Sequence, residues 1–149
     1  MLKRACICVA ILSFLVVMGL PIAQAQTAER RIKVNVPFEF NLRDHVLAAG
    51  EYEVRESAAN GAVIIVRAAD GSEQLIALTR DAEPKAGGAR LVFRRYGEQY
   101  FLAAAWMDAG QGHTLLESRR ERSLRKELAQ SSHAVAPETV TVLAVNAAQ

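Results

Sequence analysis

Short alternating segments joined by turn dipeptides constrain this chain more than any other feature. Ile32, Val34, Val36, Phe38 and Phe40 fall on one side of an extended chain, and Lys33, Asn35, Pro37 and Glu39 on the other. That twofold period belongs to a strand with one buried face. Pro37 has no amide hydrogen to give a ladder, so the strand is predicted to lie at an edge or to bend there. Gly50 to Arg55 repeats the alternation, with Tyr52 and Val54 inward. Asn60-Gly61 precedes the run Ala62 to Ala68, Asp70-Gly71 separates it from Glu73 to Arg80, and Gly97-Glu98 separates Arg90 to Tyr96 from Gln99 to Met107. Such dipeptides favour hairpins, so adjacent strands are expected to be antiparallel. Val63 to Val66 and Leu75 to Leu78 are apolar on both faces, which places them mid-sheet with cover expected on each side. The stretch Ala82 to Ala89, with Pro84, Gly87 and Gly88, reads as the longest flexible link.

After Trp106 the composition changes. Residues 116–130 lack Gly and Pro and place Leu116, Leu124 and Leu128 at multiples of four among Arg, Lys and Glu. This predicts one helix over 116–130, a linker over 131–137 and a final strand over 138–146, rich in β-branched residues. The fold expected is all-β with one helix: an antiparallel β-sandwich or partly closed barrel of about seven strands, the helix preceding the last strand.

The first residues carry a different signal. Lys3 and Arg4 precede an uncharged run from Ala5 to Leu20, and Ala23-Gln24-Ala25 offers small residues at the positions a signal peptidase reads. Cleavage after Ala25 is expected, leaving residues 26–149 as a single β-rich domain in the periplasm or outside the cell. Cys6 and Cys8 leave with the peptide, so the mature chain has neither disulfides nor thiolate metal sites to hold it. The peptide also removes two of the 18 basic residues and none of the 16 acidic ones. A formally neutral domain has no global field for nucleic acid, and nucleic acid is not expected as a partner.

The segments Val34-Asn35-Val36-Pro37-Phe38-Glu39-Phe40 and Leu47-Ala48-Ala49-Gly50-Glu51-Tyr52-Glu53-Val54, with Arg90-Leu91-Val92-Phe93 and Tyr96-Gly97 further on, resemble a group of short exported bacterial proteins that share a V-P-F-x-F … L-x-A-G-x-Y-x-V pattern. The likeness runs from Val34 to about Arg122. It implies an all-β secreted domain and no particular biochemical activity.

No motif carries chemistry. Asp44-His45 lies in a predicted turn, and a carboxylate beside an imidazole can orient a general base, yet Asp in that position ordinarily closes a turn. His113 sits near Asp108 in a Gly-rich loop with no second His at ligand spacing. No serine lies in a nucleophile elbow or a Ser-x-x-Lys motif, and Gly87-Gly88 is not a phosphate loop. No catalytic residue, metal or cofactor is therefore expected. The best functional candidates are Arg119, Arg120, Arg122, Arg125 and Lys126, which can meet phosphate groups or an acidic partner. Glu121 with Arg125, and Glu117 with Arg120, stand at helical spacing to neutralise part of that charge. A second candidate is an apolar ligand pocket or interface lined by Tyr52, Phe93, Tyr100 and Trp106. The function expected is an exported cell-envelope interaction or structural module without catalysis, partnered by an envelope protein or a second copy, with at most peripheral membrane contact. The alternatives are a small periplasmic hydrolase using Asp44, His45, Asp108 and His113, or an apolar-ligand-binding β-domain.

Overall fold

The computed structural model describes residues 30–57, 62–131 and 136–148. The expected signal peptide, the Asn60-Gly61 turn and most of the linker lie outside these residues. The strands are β1 (Arg31–Val36), β2 (Phe40–Leu42), β3 (His45–Leu47), β4 (Gly50–Glu56), β5 (Val63–Ala68), β6 (Gln74–Asp81), β7 (Arg90–Tyr96), β8 (Gln99–Trp106), β9 (Gly112–Leu115), β10 (Glu138–Leu143) and β11 (Asn146–Ala148). The helix is α1 (Arg119–Gln130). The molecule is thus mostly β with one helix among the described residues, placed before the last strands as its sequence predicts.

Eleven strand segments replace the expected seven for local reasons. The first alternating run stops at Val36, because Pro37 cannot continue the ladder that β1 makes with β4 along its whole length. The chain resumes in the small β2–β3 hairpin, whose two-residue turn puts Arg43 at φ 60°. β9 forms from a stretch that reads as a Gly-rich loop. It depends on Gly112: a Cβ there would lie 2.6 Å from the Trp106 ring, so only a glycine backbone fits beside the indole. The final run divides at Ala144–Val145 into β10 and β11.

The strand order is β10-β7-β8-β9-β6-β5-β4-β1-β11, with β2 attached to β8 by a single parallel bridge, Asn41 to Phe101, and β3 paired to β2. Every other pairing is antiparallel, as the hairpin dipeptides require. β6 bridges the two halves of the sheet. Its first residues pair with β5 and its last three, Thr79–Asp81, with β9. The C-terminal strand does the same at the other side: β10 pairs with β7 and β11 with β1. Between them the Ala144 amide donates to the Ala89 carbonyl (3.0 Å) and the Val145 amide to that of Lys33 (2.9 Å). The sheet does not close into one continuous ladder.

One apolar core fills the interior, with Val34, Val36, Phe40, Val54, Ile64, Leu91, Phe93 and Ala105 wholly enclosed. Phe40 makes edge-to-face contacts with both Tyr52 and Phe93, joining β2, β4 and β7 at its centre. A bulge at Ala103, opposite the Val92–Phe93 step, shifts the alternation of β8 and lets Phe101, Leu102 and Ala103 all be buried.

Two packing expectations are corrected. β5 and β6 are mid-sheet, but nothing among the described residues covers their outer face, and Ile76 and Leu78 are 58% and 55% exposed. The helix begins at Arg119 rather than at 116 because Ser118 caps it, its Oγ accepting from the Glu121 amide at 3.0 Å. Its leucines do not form a buried stripe: Leu116 precedes the helix and is 48% exposed, and Leu124 and Leu128 are half-buried. The buried helical residue is Glu121.

Candidate anion-binding groove

Glu121 explains how α1 is held. Its carboxylate accepts from the Arg94 guanidinium at both oxygens, Nη2 lying 3.0 Å from Oε2, and from the Tyr96 hydroxyl at 3.2 Å. Arg94 and Tyr96 share one side of β7, so this fork pins the first helical turn to the sheet. Burial and the neighbouring Glu121 charge hold the Tyr96 phenol above its ordinary range. For Arg94, burial opposes the charged form, but the hydrogen bonds and charge of Glu121 outweigh it and raise the guanidinium further. A fully enclosed carboxylate with a bidentate arginine is a strong orienting contact.

Drawing Glu121 inward changes the charge on the helix surface. The expected Glu121–Arg125 and Glu117–Arg120 pairs do not form. Arg125 instead reaches Glu117 at 3.2 Å. Arg119, Arg120 and Arg122 are then left with no carboxylate partner among the described residues, all three exposed.

Arg119 and Arg122 face a groove of about 390 Å³. Its other walls are Arg43 and Asp44 from the β2–β3 turn, Leu78 from β6 and the connection Leu115 to Ser118. Sequence reasoning misses Arg43, because nothing in Arg43-Asp44-His45 signals that the hairpin folds toward the helix. Its φ of 60° is a left-handed conformation that costs a non-glycine residue on the order of 1–2 kcal/mol. Three guanidiniums thus converge from two distant segments. Asp44 is the one acidic residue of the groove not engaged by Arg125. The Arg119 and Arg120 amides, in the first helical turn, have no intrahelical acceptor, and they add positive potential to the same end. Arg120, Arg125 and Lys126 do not line the groove.

The residues considered for hydrolysis fall in two places, Asp44 and His45 at the β2–β3 turn, and Asp108 and His113 near Arg30, which lies 3.9 Å from Asp108 and lines the cavity beside His113. Asp44 lines the groove and His45 is exposed on β3. Asp108 accepts from the Gly110 and Gln111 amides, each at 2.8 Å, and these bonds hold its carboxyl below the usual range. His113 is buried on β9 beside a smaller cavity of about 180 Å³, with Nε2 3.7 Å from Glu56 and Nδ1 3.9 Å from Asp81. Neither ring nitrogen has a hydrogen-bond partner, and the two carboxylates lie at opposite ends of the ring rather than around a common point. No group of three or more metal-ligating side chains occurs among the described residues.

Three of the aromatic candidates join one packed cluster: Phe40 links Tyr52 to Phe93, and Phe38 links Phe93 to Tyr100, on which it stacks with ring centres 3.9 Å apart. Tyr52 donates to the Ala48 carbonyl at 2.7 Å, and burial, reinforced by Glu73 and Asp70, raises its phenol. Trp106 lies apart, beneath the Arg90 guanidinium at 4.5 Å. Tyr52 lines grooves of about 230 and 750 Å³, but Phe93, Tyr100 and Trp106 line neither of them. No helix among the described residues is long and apolar enough to cross a membrane. Comparison of the chain with known protein families, with curated proteins and with solved structures finds no match.

Proposed function

We propose that this chain is an exported, non-catalytic interaction module of the cell envelope, built on a partly closed barrel and working through the basic end of α1. The observation that carries the reading is that Glu121 is taken by Arg94 and Tyr96 and Glu117 by Arg125, so that Arg119, Arg120 and Arg122 have no counter-charge among the described residues. Unpaired cations on a pinned helix are available to an acidic partner, and such complementarity mainly sets encounter rate and specificity. The leader-like residues 1–25 and the resemblance to short exported bacterial proteins support the location. Asp44 lines a different groove from His113, which supports a role without catalysis.

The test is crosslinking in the native envelope, followed by purification of the tagged mature chain and identification of what remains attached. A reproducible acidic partner, lost when Arg119, Arg120 and Arg122 are replaced by Glu, is the expected result. A chain that returns with neither an attached protein nor co-purifying acidic lipid refutes the reading.

A further inference from the structure

The groove does not end at its charged rim. Leu78 lines it and also belongs to the uncovered outer face of β5 and β6, where it stands opposite Val63 while Ile76 stands opposite Ile65. Ile76 and Leu78 are more than half exposed, Val63 and Ile65 partly so, and Leu116 adjoins them at the groove. Cross-strand partners on one face lie about 5 Å apart and successive same-face residues about 7 Å apart, so the four side chains form one continuous apolar area rather than scattered exposures. One edge of this area meets Arg43, Arg119 and Arg122. The order is amphipathic: a cationic cluster with unclaimed amides at one rim, and an unbroken apolar ladder leading away from it.

We propose that this surface docks on a membrane containing acidic phospholipid. The phosphate of one lipid enters the groove between Arg43, Arg119 and Arg122, and Leu116, Leu78 and Ile76 sit in the interfacial layer beside it. The inference rests on the interaction-module reading and names its partner. Charge complementarity selects a lipid of net negative charge over a zwitterionic one, because the groove is lined by three arginines against Asp44 alone once Glu117 is engaged by Arg125. The apolar ladder selects a lipid surface over a soluble anion, which gains nothing from Ile76 or Leu78. Attachment of this kind is peripheral and sensitive to salt.

The experiment is flotation of the mature protein with vesicles of phosphatidylglycerol and phosphatidylcholine, and with vesicles of phosphatidylcholine alone, across a range of salt. Binding to the acidic vesicles and not to the neutral ones is expected. Arg119→Glu with Arg122→Glu should lower the partition coefficient at least tenfold, on the scale expected for two reversed interfacial cations. Ile76→Thr with Leu78→Thr, which keeps strand-forming residues, should lower it severalfold without changing its dependence on salt. Arg43→Gly gives an independent check, because glycine suits the turn, so weaker flotation there cannot be attributed to unfolding. Equal binding to both vesicle types, no binding to either, or binding indifferent to the three sets of substitutions overturns the proposal. So does binding of dodecyl phosphate below its micelle concentration with no binding to vesicles, since that outcome marks a soluble-ligand groove. If vesicles fail while an Arg-dependent protein crosslink persists, the lipid inference falls and the interaction-module reading stands.

Discussion

Replacing Glu121 by Ala tests the physical centre of the structure. The Glu121 carboxylate is 3% exposed and the Arg94 side chain 22%. Removing one partner of a fully buried ion pair costs about 3–5 kcal/mol, because the remaining charge is stranded away from water. Arg94 keeps some access to solvent, which brings its share down, while the Tyr96 hydroxyl loses its Glu121 acceptor, worth about 1 kcal/mol. The expected loss is therefore about 3 kcal/mol, or a shift of roughly 1–2 M in a urea midpoint for a domain of this size. Glu121→Gln retains the shape and one acceptor oxygen, and should cost about half as much. The double variant Arg94→Met, Glu121→Leu removes both charges together and is expected to lie within about 1 kcal/mol of the parent, since apolar groups of similar volume replace such pairs without penalty. Urea unfolding followed by circular dichroism of the parent, Arg94→Met, Glu121→Leu and the double variant supplies all four corners of the cycle. A loss below about 1 kcal/mol for Glu121→Ala, or a double variant as unstable as the two single changes added, refutes the claim that this carboxylate pins the helix. Hydrogen exchange of the α1 amides adds a local readout: they should lose protection in Glu121→Ala while those of β4 and β5 keep theirs.

Other expectations follow from single contacts. Gly112→Ala drives a methyl group into the Trp106 ring, and should cost about 1–3 kcal/mol and alter the tryptophan emission; an unchanged midpoint would show that the indole moves without penalty. Arg43→Gly should raise stability by up to about 1 kcal/mol while weakening binding at the groove, opposite signs that a purely structural role cannot produce. Tyr96 and Tyr52 hold their phenolic protons more tightly when folded than when unfolded, because burial penalises the phenolate. Their contribution is fully present below the unfolded value of 10.0 and disappears as pH rises through the higher folded values. Ultraviolet titration should therefore show tyrosinate appearing late and together with unfolding, and Tyr96→Phe should remove part of that alkaline loss. His113→Phe replaces two ring nitrogens that lack hydrogen-bond partners and should be neutral or stabilising in denaturant unfolding, whereas a loss above about 2 kcal/mol would reveal a partner for the imidazole.

The strands of this protein are legible wherever a side chain's burial follows the pleat. Ile32, Val34, Val36, Tyr52 and Val54 alternate inward as their spacing requires, and Asp70-Gly71 and Gly97-Glu98 make the hairpins their chemistry favours. Departures occur where a contact distant in sequence overrides the local pattern. β9 exists because Trp106 accepts the bare backbone of Gly112, which a one-dimensional reading scores as a turn. The Ser118-x-x-Glu121 spacing is a helix-start signal that a predicted start at 116 passes over, and Glu121 does not bend back to its cap. It turns inward to Arg94, which lies 27 residues earlier. With Glu121 turned inward, Arg125 takes Glu117 in place of Arg120, and neither expected helical pair forms. Arg43 escapes notice for the same reason: only the docking of the β2–β3 hairpin on β8, through Asn41 Nδ2 to the Tyr100 carbonyl at 3.0 Å, brings it beside the helix.

The divided C-terminal strand governs the order in which the molecule can be finished. β11 stands opposite residues 31–33 of β1, and β10 lies along β7, so a segment synthesised after every other described strand makes contacts reaching back to β1. Ladders with such long sequence separation form slowly. Until residues 138–148 arrive, β1 has only β4 and β7 has only β8 as partners among the described strands. A chain that emerges N-terminus first therefore stays open along this seam until residues 138–148 are available. Completion is a single late event, like the fastening of a clasp, and it couples the fate of the first strand to the integrity of the last.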